Sequence, residues 1–247
     1  GAKPLAITNC LNFGNPENEN IMGEFAECLE GIKEACEFLN YPVVSGNVSF
    51  YNGTNQKNIN PTPVIGGVGL INKLSKPISH NFKKDKNVII LVGKTFGHLE
   101  QSCFLRENYK IFDGMPPDIN LLNEKNNGEN VLKLIQNKLI LSSHDISDGG
   151  LILALCEMSI SSSYGAMIKK PQKLTNLFKY FFGEDQGRYL LEVEPSNLTK
   201  VEKSLKDSNI YYENIGFTQK DYFEIEGELK INIKDLFKIN NEWYNNY

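Results

Sequence analysis

The 247-residue sequence has few cysteines, and their spacing fits no familiar cysteine motif. The five are an odd number, and no two of them form a Cys-x-x-Cys pair. This argues against a disulfide framework and against a cysteine-based zinc or redox site. Three of them lie in apolar stretches with helical spacing, so we expect reduced, buried thiols in a cytoplasmic protein. The five are Cys10, Cys28, Cys36, Cys103 and Cys156.

The sequence also lacks a long apolar run and an excess of basic residues. No stretch approaches the ~20 apolar residues that a membrane-spanning helix needs, and no signal-peptide pattern opens the chain. The formal net charge is −4 and the isoelectric point about 5.6, which predicts no general attraction to nucleic acid or anionic membranes. With 40% hydrophobic and 23% charged residues, the chain is predicted to be globular, with one large or two small domains.

The most informative stretch is residues 141–150 (LSSHDISDGG), where a strand, a polar turn and a helix are expected to meet. The apolar run at 138–141 predicts a short buried strand, and the run at 151–158 predicts a helix. Ser147 or Asp148 is the expected N-cap, because a short side-chain oxygen can accept from the free amides of the first turn. The stretch is therefore predicted to present polar groups at a helix start.

This turn carries one imidazole and two carboxylates, from His144, Asp145 and Asp148. Gly149 and Gly150 would let backbone amides approach an anion at the helix N-terminus. We therefore predict a phosphate near these glycines, with a divalent cation held by Asp145 or Asp148. The alternative is a capped helix and a turn that bind no ligand.

The first part of the chain is predicted to contain three strands and one long helix. The helix has an apolar stripe that includes Cys28 and Cys36, which places both cysteines in a core. After the second strand, Ser45, Asn47 and Ser49 alternate with other residues, so one face of an extended segment would be polar. Such a face suits a ligand, and the alternative is a solvated strand edge. The expected elements are strands at 4–8, 41–44 and 63–71, a helix at 17–40, and loops at 9–16 and 53–63.

Residues 72–86 are predicted to link this part to a second unit, with His80 simply solvated. The turn at 183–188 (GEDQGR) places four polar side chains at a strand entrance, where they would bind a ligand or form an exposed charged turn. The expected elements of the second unit are strands at 87–93, 138–141, 166–168, 189–193 and 211–217, helices at 97–108, 120–137, 151–158, 174–182, 196–207 and 233–243, and a hairpin around 226–228.

Six segments, taken together and in order, resemble the PurL form of phosphoribosylformylglycinamidine synthase. They are residues 8–16 (TNCLNFGNP), 45–52 (SGNVSFYN), 61–66 (PTPVIG), 97–102 (GHLEQS), 144–150 (HDISDGG) and 182–188 (FGEDQGR). The likeness implies the C-terminal portion of a longer enzyme with a PurM-like fold, of the α/β and α+β classes. A partial N-terminal-type AIR synthase-like domain would cover residues 1–80, and a C-terminal-type domain residues 86–247. The apolar strand that opens the chain without a lead-in also predicts a longer protein.

The resemblance implies an ATP-dependent, amidine-forming ligase of purine biosynthesis. ATP would activate an amide oxygen of formylglycinamide ribonucleotide, and ammonia from a glutaminase subunit or domain would displace phosphate. ATP and Mg²⁺ are the implied cofactors, since metal ions neutralise the transferring phosphoryl group. The implied partners are the missing N-terminal half and the glutaminase, with no nucleic acid or membrane. The isolated chain is expected to be inactive, because the family's catalytic histidines lie in the absent half.

Carried over position by position, the resemblance implies roles for four residues of the first part. It assigns ATP contacts to Asn9 and Gly46, a magnesium ligand to Asn47 and a substrate contact to Ser49. Their chemistry fits, since an Asn carbonyl can bind a hard cation and a glycine admits a phosphate.

The resemblance also implies that the family is a tandem repeat of two halves, so that a site occurs twice. The remaining candidates belong to its second copy. They are His144 as a catalytic residue, Glu184 and Gln186 as substrate contacts, and Asp145 and Asp148 as metal ligands. Two other functions remain open: a non-catalytic nucleotide-binding or scaffolding domain, and a free-standing ATP-dependent synthetase of the PurM superfamily. Turnover by the isolated chain is expected only for the free-standing synthetase.

Overall fold

The computed structural model describes residues 1–55, 57–71, 77–173 and 176–245, and the chain divides into two compact units. The first unit is Gly1–Ser75 and the second is Lys76–Tyr247. Part of the predicted linker, residues 72–76, lies outside the described residues, as do residues 174–175 of a predicted helix. Each unit has its own sheets and its own core.

The first unit is built on a three-stranded sheet. Its elements are β1 (Lys3–Asn12), α1 (Glu19–Leu39), β2 (Val43–Ser49), β3 (Gly53–Thr54), β4 (Lys57–Asn58) and β5 (Thr62–Leu70). The strand order is β2-β1-β5, and β3 pairs with β4 in a separate small hairpin. Strand β1 runs parallel to β2 and antiparallel to β5. A parallel pair needs a long connection, and α1 supplies it. The three strands and the helix are confirmed, but β1 extends four residues further than predicted, so Asn9 lies in a strand and not in a loop.

Helix α1 begins and ends with asparagine caps. The Asn18 side chain accepts from the Asn20 amide, and Asn40 closes the helix in the left-handed region at φ 53°. Only Ile21 of this helix is fully buried within the chain, and the small core is formed with Leu11, Phe13 and other apolar residues. All five cysteines are free, which agrees with the prediction of reduced thiols, but each is only half-buried, so the prediction that they are buried is wrong. For Cys28, partial burial still raises the pKa of the thiol.

The second unit is a seven-stranded mixed sheet with helices. Its strands are β6 (Val88–Val92), β7 (Ser142–Asp145), β8 (Tyr164–Ile168), β9 (Tyr189–Val193), β10 (Tyr212–Lys220), β11 (Tyr222–Ile225) and β12 (Leu229–Asn232). Its helices are α2 (Cys103–Tyr109), α3 (Leu121–Gln136), α4 (Gly150–Ile160), α5 (Leu177–Phe182), a 3-10 turn (Pro195–Asn197), α6 (Leu198–Asp207) and α7 (Ile233–Asn245). The strand order is β12-β11-β8-β10-β6-β9-β7, with β8 and β11 parallel and the other pairs antiparallel.

Strand β6 lies inside the sheet and is buried on both faces. Ile89 and Leu91 belong to a core cluster that includes residues of α4 and α5. Ile90 and Val92 belong to a second cluster that includes residues of α3 and α6. Because side chains alternate along a strand, this division shows that helices cover both faces of the sheet. The continuous apolar run at 87–93 is the sequence signal of such a strand.

Two predicted elements of the second unit are wrong. The strand expected at 138–141 is absent: Lys138 adopts φ 56°, and the Leu139 amide donates to Leu134 O, which ends α3. The strand begins instead at Ser142 and includes the polar residues that were predicted to form a turn. The helix expected from residue 97 begins only at Cys103. The first difference follows from a local hydrogen bond that closes α3, and the second lies where a distant segment binds the backbone, since the Glu184 amide donates to His98 O.

Candidate functional site

The residues assigned to nucleotide, magnesium and substrate lie on the adjacent parallel strands β1 and β2. Asn9 is paired with Gly46, and Asn12 with Ser49. Because side chains alternate along a strand, Asn9 and Gly46 lie on one face of the pair, and Asn47 and Ser49 lie on the other. The four positions therefore lie close together along the paired strands, with two of them on each face of the pair.

Gly46 is the tightest point of this strand pair. A Cβ atom added to Gly46 would lie 1.8 Å from Asn9 Oδ1 and 2.8 Å from the Asn9 carbonyl oxygen. No other residue type fits there without moving β1 or the Asn9 side chain. The Asn47 side chain on the opposite face is exposed.

Ser49 is held by a neighbour that the sequence analysis did not single out. The Asn52 side-chain amide donates to the carbonyl oxygens of Phe13 and Ser49, at 3.0 Å each. The same nitrogen lies 3.2 Å from Ser49 Oγ. Asn52 thus joins the end of β2 to the loop after β1 and fixes the Ser49 hydroxyl. The signal was present, because Asn52 closes the 45–52 segment.

In the second unit, His144 at the end of β7 lies between two carboxylates. Its Nδ1 is 3.2 Å from Asp145 Oδ1, and its Nε2 is 2.8 Å from Glu157 Oε2 on α4. Asp148 is exposed, as is His80, whose ring centroid is 5.2 Å from that of His144. Within the described ranges, no three His, Cys, Asp or Glu side chains are grouped so that they could hold a metal ion. His144 therefore has two acidic neighbours but no ligand set around it.

The two glycines at the start of α4 are enclosed by the 183–188 turn. The N-cap residue of α4 is Gly149, at φ 79°, and no side chain hydrogen-bonds to the helix start as a cap. The prediction of Ser147 or Asp148 as the N-cap is therefore wrong. The Gly149 amide donates to Glu184 Oε1 at 2.8 Å. A Cβ on Gly150 would lie 2.7 Å from the Gly183 carbonyl oxygen. The chain's own carboxylate thus occupies the amide where we predicted a phosphate.

Glu184 joins two helix starts. Its Oε1 also accepts from the Cys103 amide at 2.8 Å, so one carboxylate oxygen serves the first residue of α2 and the N-cap of α4. A negative charge is favourable at such positions, because the unpaired amides of a helix N-terminus carry partial positive charge. Gln186, the other substrate candidate, is exposed, and its Nε2 lies 3.5 Å from Glu184 O.

The same turn contains a buried ion pair that the sequence analysis missed. Asp185 is 4% exposed and accepts from the backbone amides of Phe96, Gly97 and His98 at 2.9 to 3.1 Å. Arg188 is 1% exposed, and its Nη1 is 3.9 Å from Asp185 Oδ2. Gly97 and Gln101 adopt positive φ, 81° and 59°, and the His98 carbonyl oxygen accepts from the Glu184 amide, which explains why α2 begins later than predicted. The turn at 183–188 is accordingly not the exposed charged turn considered as an alternative.

Arg188 is satisfied almost entirely by oxygen atoms of its surroundings. Its Nε donates to Asp185 O at 3.0 Å, its Nη1 to Thr95 Oγ1 at 3.1 Å, and its Nη2 to Gly183 O at 2.6 Å. Burial lowers the pKa of the Arg188 guanidinium, and the nearby Asp185 carboxylate opposes that shift. The pair fixes the turn on which Glu184 lies.

A second buried carboxylate, Glu192, lies in β9. It is 0% exposed and accepts from the amides of Lys83 and Lys84, from Asn87 Nδ2 and from Ser142 Oγ, at 2.7 to 3.1 Å. These donors tie the segment before β6 and the start of β7 to β9, the strand next to the β7 edge of the sheet. The sequence signal for this cluster was Glu192 itself, a charged residue inside the apolar run YLLEV, because a buried charge needs hydrogen-bond partners.

We expect Glu184→Ala to lower the free energy of unfolding by about 1–2 kcal/mol, because two helix starts lose their acceptor. Glu184→Gln keeps an acceptor and should cost less, about 0.3–1 kcal/mol from the lost charge. Urea-induced unfolding measures both, with Glu129→Ala on α3 as an exposed control. Equal stability of the alanine variant and the wild type would show that Glu184 is not a structural cap.

Comparisons with known proteins place the chain in a family. Residues 1–71 match the family model "AIR synthase related protein, N-terminal domain", and residues 84–226 match its C-terminal domain counterpart. The chain is 50% identical over 247 residues to phosphoribosylformylglycinamidine synthase subunit PurL of Pelagibacter ubique, which covers all of this chain and 34% of the relative. It is 44% identical, with the same coverage, to subunit PurL of Rhodopseudomonas palustris. The chain thus spans about a third of the length of the curated relatives it matches.

Solved structures confirm the PurM-like fold that the resemblance implies. Thermotoga maritima PurL complexed with FGAR has a TM-score of 0.70 and 16% identity, covering 96% of this chain and 40% of that one. Thermotoga maritima PurL complexed with ADP has a TM-score of 0.69 and 15% identity, and PurLQS of the same organism a TM-score of 0.69 and 16% identity. Both cover 96% of this chain and 38% of the other. At these identities the likeness concerns the fold alone.

In the part of the chain that the structure describes, no helix is both long and apolar enough to cross a membrane.

Both halves of the family's domain pair are matched in order, and all of the chain is covered by PurL relatives. The chain belongs to the AIR synthase related protein family, and the resemblance of its six motifs to PurL is confirmed.

Proposed function

We propose that this chain is the C-terminal portion of a phosphoribosylformylglycinamidine synthase. The full-length protein then converts formylglycinamide ribonucleotide to the amidine, with ATP as the energy source and ammonia as the nitrogen donor. The observation that carries this proposal is the 50% identity to subunit PurL across all 247 residues. The phosphoryl group of ATP is transferred to the amide oxygen, ammonia adds to the carbon, and phosphate leaves with that oxygen.

For ATP, the fit rests on the close approach of β1 and β2. A Cβ atom on Gly46 would lie 1.8 Å from Asn9 Oδ1, so the Asn9 amide lies directly against the Gly46 backbone and only a glycine allows this approach. We assign Asn9 and Gly46 to nucleotide contacts on this ground. ATP supplies the phosphoryl group when bound, and the role of these residues is to place it through the Asn9 amide and the Gly46 backbone.

For Mg²⁺, the fit rests on one exposed amide. Asn47 offers a carbonyl oxygen, which is a suitable ligand for a hard cation, and its side chain is free to turn toward one. Because Mg²⁺ usually keeps several waters and takes few protein ligands, a single amide oxygen is compatible with a shared site. Ser49, on the same face, is assigned to the substrate, with Asn52 holding its hydroxyl.

The second-unit residues are proposed to form the second copy of a repeated site. Asp145 and Asp148 remain candidate metal ligands, and His144 a candidate catalytic residue. Glu184 and Gln186 remain candidate substrate contacts, although the Glu184 oxygen already accepts two backbone amides. A non-catalytic nucleotide-binding or scaffolding role of this chain is the competing proposal, favoured by that occupied oxygen.

The proposed organisation follows the PurL relatives. We assign residues 1–80 to the partial N-terminal-type domain and residues 86–247 to the C-terminal-type domain. The partners are an N-terminal half and a glutaminase subunit or domain that supplies ammonia, in a protein of the cytoplasm. Support for partners comes from the coverage of only 34% of the relatives and from the likeness to PurLQS of Thermotoga maritima.

The proposal is tested by assaying the full-length protein with formylglycinamide ribonucleotide, ATP, Mg²⁺ and either glutamine or ammonia. Amidine formation and ADP release should occur in equal amounts, and the 247-residue chain alone should form no amidine. Turnover by the chain alone would favour the free-standing synthetase. A full-length protein that binds ADP but never forms the amidine would favour the non-catalytic role.

We expect Asn47→Ala, placed in the full-length protein, to raise the Mg²⁺ concentration needed for half-maximal activity, because a positioned oxygen ligand is lost. The measurement is a Mg²⁺ titration of amidine formation at fixed ATP. Asn123→Ala is a matched control, since Asn123 is an exposed residue on α3 in the other unit. An unchanged titration with the fold intact would remove Asn47 from the metal site.

A further inference from the structure

The second unit contains a concave surface that none of the assigned residues occupies. It has a volume of about 650 Å³ and lies where β6 ends, β8 ends and β10 begins. We call it the lysine pocket, after the four lysines that line it, Lys94, Lys169, Lys170 and Lys173. Its volume falls within the range of roughly 300–1,000 Å³ that small-molecule sites occupy.

The charge of the lysine pocket is positive, although the chain as a whole carries a formal net charge of −4. Lys170 is neutralised by Glu228, at 2.6 Å. Among the described residues, no carboxylate lies within ion-pair distance of Lys94, Lys169 or Lys173. Three ammonium groups around one concavity repel one another, so an anion bound between them would be favoured.

The one carboxylate that lines the pocket is already hydrogen-bonded. Glu213 accepts from the Tyr211 hydroxyl at 2.5 Å and from the Tyr180 hydroxyl at 3.3 Å. Burial, together with the hydrogen bond to Glu213, raises the pKa of Tyr211 to about 12, so its hydroxyl remains a donor at neutral pH. The acid thus contacts two phenols, and the four lysines are exposed, with Lys173 Nζ donating to the Tyr211 hydroxyl at 3.4 Å.

Aromatic rings accompany two of the lysines. Lys94 Nζ lies 5.5 Å from the Phe96 ring centroid, and Lys173 Nζ lies 5.3 Å from the Tyr211 centroid. Phe96 lines the pocket and is 69% exposed, so its ring is accessible to a ligand. A ring face beside an ammonium group suits a ligand that has both a flat ring and a negative charge.

We propose that the lysine pocket binds a phosphorylated small molecule that carries a flat ring, a ligand of the nucleotide class. Its phosphates pair with Lys94, Lys169 and Lys173, and its ring stacks on Phe96. The pocket lies wholly within the second unit and includes none of Asn9, Gly46, Asn47 or Ser49. It is therefore a site additional to the one proposed on β1 and β2, and it does not depend on that assignment.

The test measures the reactivity of each lysine separately, so that ligand binding elsewhere in the protein does not affect the result. The full-length protein is acetylated in the absence and presence of pyrophosphate or ADP, and the rate at each lysine is measured by mass spectrometry. Lys94, Lys169 and Lys173 should lose most of their reactivity with either probe. Lys200 and Lys203 on α6 are the internal controls and should not change. Equal reactivity of the pocket lysines with and without saturating probe would overturn the proposal.

Variants test the two parts of the ligand separately. The double variant K94Q/K169Q should weaken the ADP-dependent protection of Lys173, so that the midpoint, the ADP concentration at half-maximal protection, rises about tenfold. The control variant K200Q/K203Q removes exposed charges of the same kind and should leave the midpoint unchanged. Phe96→Ala should shift the midpoint for ADP but not for pyrophosphate. Equal shifts for both probes would overturn the stacking of a ring on Phe96.

Discussion

Replacing Gly46 with alanine in the full-length protein should lower amidine formation by about 100-fold, since a displacement of roughly 1 Å in a positioning element can cost that much. The added Cβ would lie 1.8 Å from Asn9 Oδ1, so either β1 moves or the Asn9 amide turns away. Both movements disturb the nucleotide contacts that we assign to this strand pair. The measurement is the initial rate of ADP release with all substrates present.

Gly31→Ala is the matched control for this substitution. Gly31 lies on α1, and an added Cβ meets nothing within 4 Å. Alanine in a helix interior is favoured over glycine, so this variant should keep its activity and gain up to about 1 kcal/mol of stability. Asn9→Ala removes the amide without adding bulk, and it separates loss of the contact from loss of the fold. Full activity of a folded Gly46→Ala protein would contradict the assignment.

Replacing Arg188 with methionine should destabilise the second unit by about 3–5 kcal/mol, because it leaves a buried carboxylate without its counter-charge. Asp185 is 4% exposed and would keep its three backbone donors but lose the guanidinium. The carbonyl oxygen of Gly183 and the Thr95 hydroxyl would lose donors as well. Urea-induced unfolding followed by circular dichroism measures the change.

Arg106→Met is the control for Arg188→Met. Arg106 pairs with Glu107 at the surface, with a side chain that is 42% exposed, so its loss should cost about 1 kcal/mol or less. The double variant D185N/R188M should cost less than the two single variants added together, since neither charge then remains unpaired. An Arg188→Met protein as stable as Arg106→Met would show that the buried pair does not hold the turn.

Most of the secondary structure follows from local pattern. The run at 87–93 predicted β6, the asparagine-flanked stretch at 120–137 predicted α3, and the stripe at 17–40 predicted α1, each within a few residues. The helical period of apolar residues indicates the two helices, and the continuous apolar run indicates a strand that is buried on both faces. The hairpin around 226–228 was predicted by its turn residues, and β11 and β12 confirm it.

The wrong predictions share a physical cause. Residues 97–101 have no helix because Gly97 and Gln101 adopt positive φ and because the His98 carbonyl oxygen accepts from the amide of Glu184, more than 80 positions later in the chain. The strand at β7 contains His144 and Asp145 because it pairs with β9, although its sequence is polar. Neither contact affects the local spacing of apolar residues, so a prediction from neighbouring residues alone assigns the wrong element.

The sequence by itself determined the family, the order of the elements and the positions at which ligand contacts are proposed. These depend on residue identity and on short-range spacing, which the chain carries at every point. The tertiary structure alone decided that Glu184 serves two helix starts, that Asp185 and Arg188 are buried as a pair, and that four lysines surround one concavity. These depend on segments far apart in sequence that meet only when the sheet forms, because burial and hydrogen-bond partners are properties of the folded chain.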